Sequence, residues 1–136
     1  MTVVVDASIT VAWFFPDECN DAIDEVMSRL AAEGGTVPPH WPAEVANAFL
    51  MAVRRKRIDP AYRGECLEKL ATFDIAPDDD SNGWMWSATL RLADIHRLTI
   101  YDAAYLELAQ RRRMPLATLD AALARAARAS GVDVLG

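Results

Sequence analysis

The sequence is short of cysteine and lacks any segment that would anchor it in a membrane. Its two cysteines, Cys19 and Cys66, form no disulfide framework and no zinc-site spacing, so we expect both to be small buried side chains. No apolar run is long enough to cross a bilayer. The N-terminus has neither the basic start nor the cleavable apolar segment of a signal peptide. These absences predict a cytoplasmic protein that does not enter a membrane.

Positive charge is also scarce. Lys and Arg number 14 against 20 Asp and Glu, which gives a formal net charge of −6 and a pI near 4.8. Proteins that wrap nucleic acid non-specifically need a surplus of cations, so that class is excluded, whereas an enzyme that contacts nucleic acid at one site is not. The chain has no nucleophile elbow, no P-loop and no dinucleotide-binding motif. Its acids are therefore the candidates for chemistry.

The order of apolar segments predicts the fold class. Short apolar strands alternate with helices over residues 1–136, which we expect to form one domain: an α/β/α sandwich of three layers with a central, mainly parallel sheet. Strands are predicted over residues 2–5, 36–37, 73–76, 115–119 and 132–135. Helices are predicted over residues 8–15, 20–32, 42–57, 60–72, 83–97, 100–113 and 121–130, with Leu67 among the inward-facing side chains.

Four acids follow a predicted strand directly or lie in the first turn of a predicted helix. In a parallel α/β sheet these positions share one edge, where ligand sites form. Two carboxylates about 5 Å apart repel by about 3 kcal/mol at an effective dielectric near 20, so converging acids favour a bound cation. An all-oxygen set of ligands suits Mg²⁺ or Mn²⁺. The four acids are Asp6, Glu44, Asp102 and Asp120.

Each of these acids also has a simpler structural explanation. Asp6 and Asp120 are suited to cap the helices that follow them, and Glu44 could accept hydrogen bonds from free backbone N–H groups. Thr99 precedes Asp102 at the spacing of a capping box. For any single acid this explanation is at least as good as a metal site. Polar neighbours of the same acids favour a shared site: Ser8, Asn47 and Thr118.

Four segments around these acids resemble the four acidic motifs of the PIN domain, in particular its VapC-type toxin branch. They are VVVDAS, PAEVANAF, YDAAYLELA and ATLDAAL, in the family's order and over nearly the whole chain. The resemblance implies a Mg²⁺- or Mn²⁺-dependent ribonuclease, which leaves 5′-phosphate and 3′-hydroxyl ends, on an α/β/α fold with a central parallel sheet.

The resemblance also implies a role for each site residue. Asp6, Glu44 and Asp102 match the core metal-site acids, and Asp120 matches the fourth, more variable one. Asp102 would then belong both to a helix start and to the metal site, because a helix N-terminus stabilises a carboxylate. The positions that often support the site are matched by Ser8, Asn47 and Thr118.

Partners follow from the same resemblance. They are an RNA substrate, a second copy of the chain in a homodimer, and a cognate VapB-type antitoxin whose C-terminal segment lies along a groove of the toxin. A cationic side chain of that segment could pair with the acids in place of metal. Candidate contact surfaces are residues 13–15 and the predicted helix 42–57, although both could equally belong to the core.

Two rival functions are non-catalytic: a receiver-like phosphoacceptor domain, or a PIN-like scaffold that has lost its activity and only binds. A receiver needs paired acids after its first strand and a late lysine, and this chain has neither. An inactive scaffold is expected to lack one of the core acids, and all are present. The alternative of an acidic-pocket binding module is therefore less favoured than catalysis.

The remaining polar clusters are predicted to be structural for the most part. Arginine-rich residues 54–57 and 111–113 come where helices end, so they complement helix dipoles, and one or two of them are candidates for RNA phosphates. Acidic residues 78–80 with Ser81 and Asn82 are predicted to form a solvated loop with one helix cap. His40 and His96 have no evident partner.

Overall fold

The computed structural model describes residues 2–136, which are built around one five-stranded sheet. All strand pairs are parallel, and the spatial order is β3-β2-β1-β4-β5. Every residue of the three central strands is buried, as expected for strands covered on both faces. The strands are β1 (Val3–Val5), β2 (Gly35–Val37), β3 (Ile75–Pro77), β4 (Leu116–Ala117) and β5 (Val134–Leu135).

Helices fill every connection between the strands. Between β1, β2 and β3 the chain forms α1 (Ala7–Ala12), α2 (Asp21–Glu33), α3 (Trp41–Arg54) and α4 (Pro60–Leu70). Between β3, β4 and β5 it forms α5 (Ser81–Trp84), a π-helical turn (Met85–Thr89), α6 (Leu90–His96), α7 (Ile100–Arg112) and α8 (Ala121–Ala129).

The helices form two layers, one on each face of the sheet. The chain steps from β1 through β2 to β3 in one direction, then returns past β1 to β4 and β5. Because such crossovers are right-handed, the reversal places α1–α4 on one face and α5–α8 on the other. The packing agrees, since α1 contacts α2 and α3, whereas α7 contacts α6 and α8. The predicted three-layer α/β/α sandwich with a parallel sheet is therefore confirmed.

Local signals explain where most helices begin. Asp6, Asn20, Asp59, Thr99 and Asp120 each precede a helix and accept a hydrogen bond from a backbone N–H of its first turn. Helix α2 ends at a glycine with φ of 76°, a conformation that other residues rarely adopt. Each of these helix starts, and the end of α2, lies within a few residues of the predicted boundary.

Several predicted features differ from the structure. Helix α1 is shorter than the predicted 8–15, because the N–H groups of Phe14 and Phe15 donate to carbonyls only three residues back. The predicted helix 83–97 is interrupted by the π-helical turn. Leu67 is 40% exposed rather than inward-facing, because the buried side of α4 is formed by Cys66 and Leu70. Cys66 is buried as predicted, but Cys19 is only half-buried.

The acidic run after β3 is not simply a solvated loop, since Asp78 and Ser81 are both buried. Two arginines from the end of α7 close over Asp78. Arg111 donates through Nη2 to Asp78 Oδ2 at 2.7 Å, and Arg112 donates through Nη1 to Oδ1 at 3.1 Å. Arg111 also bonds both carboxylate oxygens of the buried Glu107, four residues back. These two arginines are therefore committed to an internal ion-pair network.

The core on the face of the sheet covered by α1–α4 includes side chains of α1 and α3. The stripe of α3 supplies Val45, Phe49 and Ala52, while α1 and the turn after it supply Ile9 and Phe15. Phe14 is buried as well and Trp13 is partly buried, so residues 13–15 belong mainly to the core. No helix within residues 2–136 has the length and apolar character needed to cross a membrane.

Candidate active site

The topology places a candidate site at the carboxyl ends of β1 and β4. The chain leaves β1 toward one edge of the sheet and returns to β4 on the other side, so a crevice opens where the two directions diverge. Asp6 is the residue after β1. Thr118 is the residue after β4, and Asp120 follows two positions later as the cap of α8. Residues that are far apart in sequence thus meet at this crevice.

Asp6 is only 4% exposed, and its carboxylate accepts hydrogen bonds from three donors. Its Oδ1 accepts hydrogen bonds from Ser8 Oγ at 2.7 Å and from the backbone N–H of Ile9 at 3.1 Å. Its Oδ2 accepts one from the hydroxyl of Thr118. Burial raises the pKa of Asp6 to about 6 in spite of these bonds, and the negative charge of Asp102 contributes to the rise.

Ser8 and Thr118 join the ends of the two strands. While the Thr118 hydroxyl donates to Asp6, its oxygen accepts from the backbone N–H of Asp120 at 3.0 Å. The Ser8 hydroxyl oxygen accepts from the N–H of Leu119 at 3.2 Å in the same way. Asp120 in turn caps α8 through Oδ1. Both hydroxyl residues therefore hydrogen-bond to Asp6 and to the chain that leads into α8.

Asp102 lies half-buried in the first turn of α7. Its backbone N–H donates to the hydroxyl of Thr99 at 3.1 Å, as the capping-box spacing predicts. Burial raises the pKa of Asp102, and the charges of Asp120 and Glu44 raise it further. Because Asp6 also interacts with Asp102, the other three predicted acids all lie within electrostatic reach of the Asp102 carboxylate.

Glu44 lies in the first turn of α3 and has two partners that are not predicted from the sequence. Its Oε1 accepts from the hydroxyl of Tyr105 at 2.6 Å and lies 3.4 Å from His40 Nε2. The same nitrogen of His40 lies 3.1 Å from the carbonyl oxygen of Tyr101. The position of Tyr105, three residues after Asp102 on one helix, was the available signal. His96 also has a partner, because its Nε2 lies 3.2 Å from Ser130 Oγ.

A groove of about 700 Å³ leads away from the acids between α1 and α3. Ser8, Glu44 and Asp120 line one end of it, and Arg55 and Arg57 line the other. Asn47 lies in its wall, where it hydrogen-bonds to none of the four acids within the described part of the chain. The apolar wall between the ends includes Val11, Ala12, Phe15, Ala48 and Met51.

The donor set suits a hard divalent cation. No group of three His, Cys, Asp or Glu side chains in residues 2–136 lies close enough to form a ready ion cage. Mg²⁺ keeps several of its waters and uses only one or two carboxylates directly, so a looser set of acids fits it. Among these residues no Lys or Arg forms an ion pair with Asp6, Asp102 or Asp120. Their negative charge is left for another cation.

Comparison with known proteins identifies the family. Residues 3–129 match the model of the PIN domain. This chain belongs to the PIN-domain family. Ribonuclease VapC3 of Pyrobaculum aerophilum is 34% identical over 124 residues, which cover 91% of this chain and 93% of the relative. Ribonuclease VapC3 of Mycobacterium tuberculosis is 34% identical over 128 residues, with 91% of this chain and 86% of the relative covered.

Solved structures agree with the PIN-domain assignment. PAE2754 from Pyrobaculum aerophilum superposes with a TM-score of 0.71 at 25% identity, covering 98% of this chain and 90% of that one. FitAcB from Neisseria gonorrhoeae gives a TM-score of 0.68 at 17% identity, over 99% and 97%, and supports the fold alone. Membership of the PIN domain also removes the receiver-like alternative, since it assigns the chain to a different family.

Proposed function

We propose that this protein is a Mg²⁺- or Mn²⁺-dependent endoribonuclease, the cytoplasmic toxin of a VapBC-type toxin–antitoxin pair. The observation that carries the proposal is the set of acids at the crevice beside β1 and β4. Asp6 is buried and Glu44 and Asp102 are partly buried, the pKa values of Asp6 and Asp102 are raised, and no Lys or Arg described in the structure neutralises those two. The name ribonuclease that both relatives carry supports the same activity.

In this proposal Asp6, Glu44, Asp102 and Asp120 hold the metal, which when bound polarises a phosphodiester and lowers the pKa of its bound water. Ser8 and Thr118 keep the Asp6 carboxylate fixed through both of its oxygens. A carboxylate of the cluster orients the attacking water or accepts its proton. Because the site is placed by strand ends and helix starts, little rearrangement is needed before RNA binds.

Selectivity for particular RNAs is part of the proposal. The chain carries a net charge of −6, and several arginines are already engaged by its own acids. Arg57 bonds Asp17 and Glu18, while Arg111 and Arg112 bond Asp78. Weak non-specific attraction to phosphate leaves the shape and sequence of a structured target to decide where cleavage occurs.

A VapB-type antitoxin is proposed to occupy the groove between α1 and α3. The acidic end of the groove would take a cationic side chain of the antitoxin's C-terminal segment, and the apolar wall of the groove would bury the adjoining antitoxin residues. We also propose a homodimer, as the resemblance to the toxin branch implies. Copurification with a small partner encoded beside the gene is the expected result. A monomeric, freely active enzyme that cells tolerate at high expression would contradict both.

The activity is tested on purified protein freed of any partner. With Mg²⁺ or Mn²⁺ we expect cleavage of total cellular RNA at discrete sites, and the mapped ends identify the target. Chelator or Asp6→Ala should abolish cleavage, whereas Asp94→Ala, which removes an exposed acid of α6, should not. Metal binding without any cleavage would instead support a non-catalytic PIN-like binding module. Uniform degradation of unrelated RNAs at low enzyme would contradict selectivity.

A further inference from the structure

Tyr105 lies in the second turn of α7 with only 1% of its surface exposed. Its ring belongs to the core. Its hydroxyl, however, leaves the core and donates to Glu44 Oε1 at 2.6 Å, across 61 positions of sequence. The bond joins the helix that carries Asp102 to the helix that carries Glu44.

A buried tyrosine hydroxyl needs some partner, so this bond alone could be ordinary core satisfaction. The nature of the partner argues for more. The Glu44 side chain is 35% exposed and lines the groove, where a carboxylate on a flexible stem would otherwise sample several rotamers. Tyr105 supplies the shorter of the two polar contacts described for this carboxylate.

His40 approaches the same oxygen. Its Nε2 lies 3.4 Å from Glu44 Oε1 and is anchored at 3.1 Å from the Tyr101 carbonyl, while its ring packs edge-on against Tyr105 at 5.4 Å between centroids. Both contacts therefore fall on Oε1. Within residues 2–136, Oε2 of Glu44 accepts no hydrogen bond from a protein donor.

The Tyr105 hydroxyl is the donor in its bond to Glu44, because an ionised carboxylate oxygen can only accept a hydrogen bond. Burial raises the pKa of Tyr105 far above its usual range, and the hydrogen bond and charge of Glu44 raise it further.

We propose that Tyr105 is a positioning residue for the metal site, which holds Oε1 of Glu44 so that Oε2 is left to face the cation. This inference rests on the proposed function, because it requires Glu44 to take part in metal binding. His40 Nε2 lies 3.4 Å from the same oxygen. The role is distinct from catalysis, since Tyr105 acts through Glu44 and is too buried to contact RNA.

Removal of the hydroxyl should therefore weaken metal binding more than it weakens the fold. Partners that orient metal ligands typically account for 10- to 100-fold in metal affinity, so Tyr105→Phe is expected to raise the Kd for Mn²⁺ roughly tenfold. The ring stays in the core, so packing is preserved. RNA cleavage by Tyr105→Phe should recover toward the parent rate as Mn²⁺ is raised, because the ligands themselves remain.

The test is calorimetric titration of the full chain with Mn²⁺, at a temperature where melting in chelator shows each variant to be folded. Tyr101→Phe is the matched control, because it removes a tyrosine hydroxyl from the exposed side of the same helix and leaves its carbonyl to His40. Glu44→Gln removes the carboxylate charge but keeps an acceptor for Tyr105. The double variant, which combines Tyr105→Phe with Glu44→Gln, completes a double-mutant cycle.

We expect Tyr101→Phe to bind Mn²⁺ like the parent, and Tyr105→Phe and Glu44→Gln each to bind it more weakly. The double variant should bind like Glu44→Gln alone, because nothing is then left to position. A normal Kd for Tyr105→Phe beside a weakened Glu44→Gln, or additive losses in the double variant, overturns the inference but leaves the proposed function standing. A normal Kd for Glu44→Gln removes Glu44 from the proposed metal site, and the inference falls with it.

Discussion

Asp6 and Asp78 occupy equivalent places in the fold, but their pKa values are shifted in opposite directions. Each is the residue after a strand of the same sheet, and each is 4% exposed. Burial raises the pKa of both, but at Asp78 the hydrogen bonds from Arg111 and Ser81 and the charge of Arg111 outweigh it and lower the pKa to about 2. At Asp6 burial prevails and the pKa rises to about 6.

The difference lies in the donors. The described donors to the Asp6 carboxylate, two hydroxyls and one backbone N–H, are all neutral, whereas Asp78 accepts bonds from two guanidinium groups. A strand end thus places a carboxylate, but the partner decides whether its charge is matched. The Asp78 carboxylate is paired with two arginines in an internal ion-pair network, whereas the Asp6 carboxylate has no cationic partner among the described residues. The two clusters should therefore respond oppositely to mutation, metal and pH.

The largest effect is expected from Arg111→Ala. It leaves Glu107 buried without its cation and removes one of the two cations on Asp78, and breaking a buried ion pair typically costs about 3–5 kcal/mol. Urea unfolding at pH 7 measures the loss, which Mn²⁺ should not restore. Arg125→Ala, on the exposed side of α8, is the control and should change stability by less than about 0.5 kcal/mol. A similar small change for both variants would mean that the Asp78 network is not a stabilising element.

Asp6→Asn is expected to act in the opposite sense. A pKa of about 6 instead of 3.8 means that the ionised carboxylate destabilises the metal-free protein by about 3 kcal/mol at pH 7. Asn keeps the cap and removes the charge, so in chelator the variant should be as stable as the parent or more stable. It should also lose most of the rise in melting temperature that Mn²⁺ gives the parent, together with RNA cleavage. A destabilised variant with an unchanged response to Mn²⁺ would mean that Asp6 is only a helix cap.

The pH dependence sharpens the contrast. Asp6 has a raised pKa, so between about pH 4 and 6 the folded protein binds more protons than the unfolded chain, and its contribution to stability falls as pH rises. Asp78 has a lowered pKa, so its contribution is present above the unfolded value of 3.8 and is lost as pH falls toward about 2. Unfolding of metal-free parent and Asp6→Asn between pH 4 and 7 isolates the first effect as their difference. A difference that does not change with pH would contradict the raised pKa.

Metal binding should show the same titration. Protons compete with the cation for Asp6, so the rise in melting temperature caused by Mn²⁺ should be smaller at pH 5 than at pH 7.5. The comparison uses one Mn²⁺ concentration and subtracts the melting temperature in chelator at each pH. An equal rise at both pH values would place the cation away from Asp6.

Local patterns explain why the sequence predicted the fold and the positions of the acids. The β-branched run of β1 and the caps Asp6, Thr99 and Asp120 act within a few residues of chain, and these elements were predicted near their observed places. The π-helical turn has no such local signal, and the predicted helix ran through it.

The partners of each acid depend on tertiary contacts that no local pattern contains. Arg111 reaches Asp78 across 33 positions and Tyr105 reaches Glu44 across 61. Local signals in the sequence therefore predict a solvated loop at Asp78 and assign no role to Tyr105. They place the four acids of the candidate site at strand ends and helix starts, but they do not show which acid is paired with a cation.

The smallest effect distinguishes a bond to the Asp6 carboxylate from a bond to its backbone. Thr118→Val removes the hydroxyl that donates to Oδ2 of Asp6, and Thr10→Val removes one that donates to the Asp6 carbonyl oxygen at 2.7 Å. Both threonines are buried, and each loss should cost about 1 kcal/mol or slightly more at pH 7. The Thr118 bond favours ionised Asp6, so its removal should cost less at pH 5, where that carboxyl is mostly protonated. The cost of Thr10→Val should be the same at both pH values, because a carbonyl does not titrate. Urea unfolding of the metal-free variants at pH 5 and 7 compares them, and equal pH responses would show that Thr118 acts on the fold rather than on the charge of Asp6.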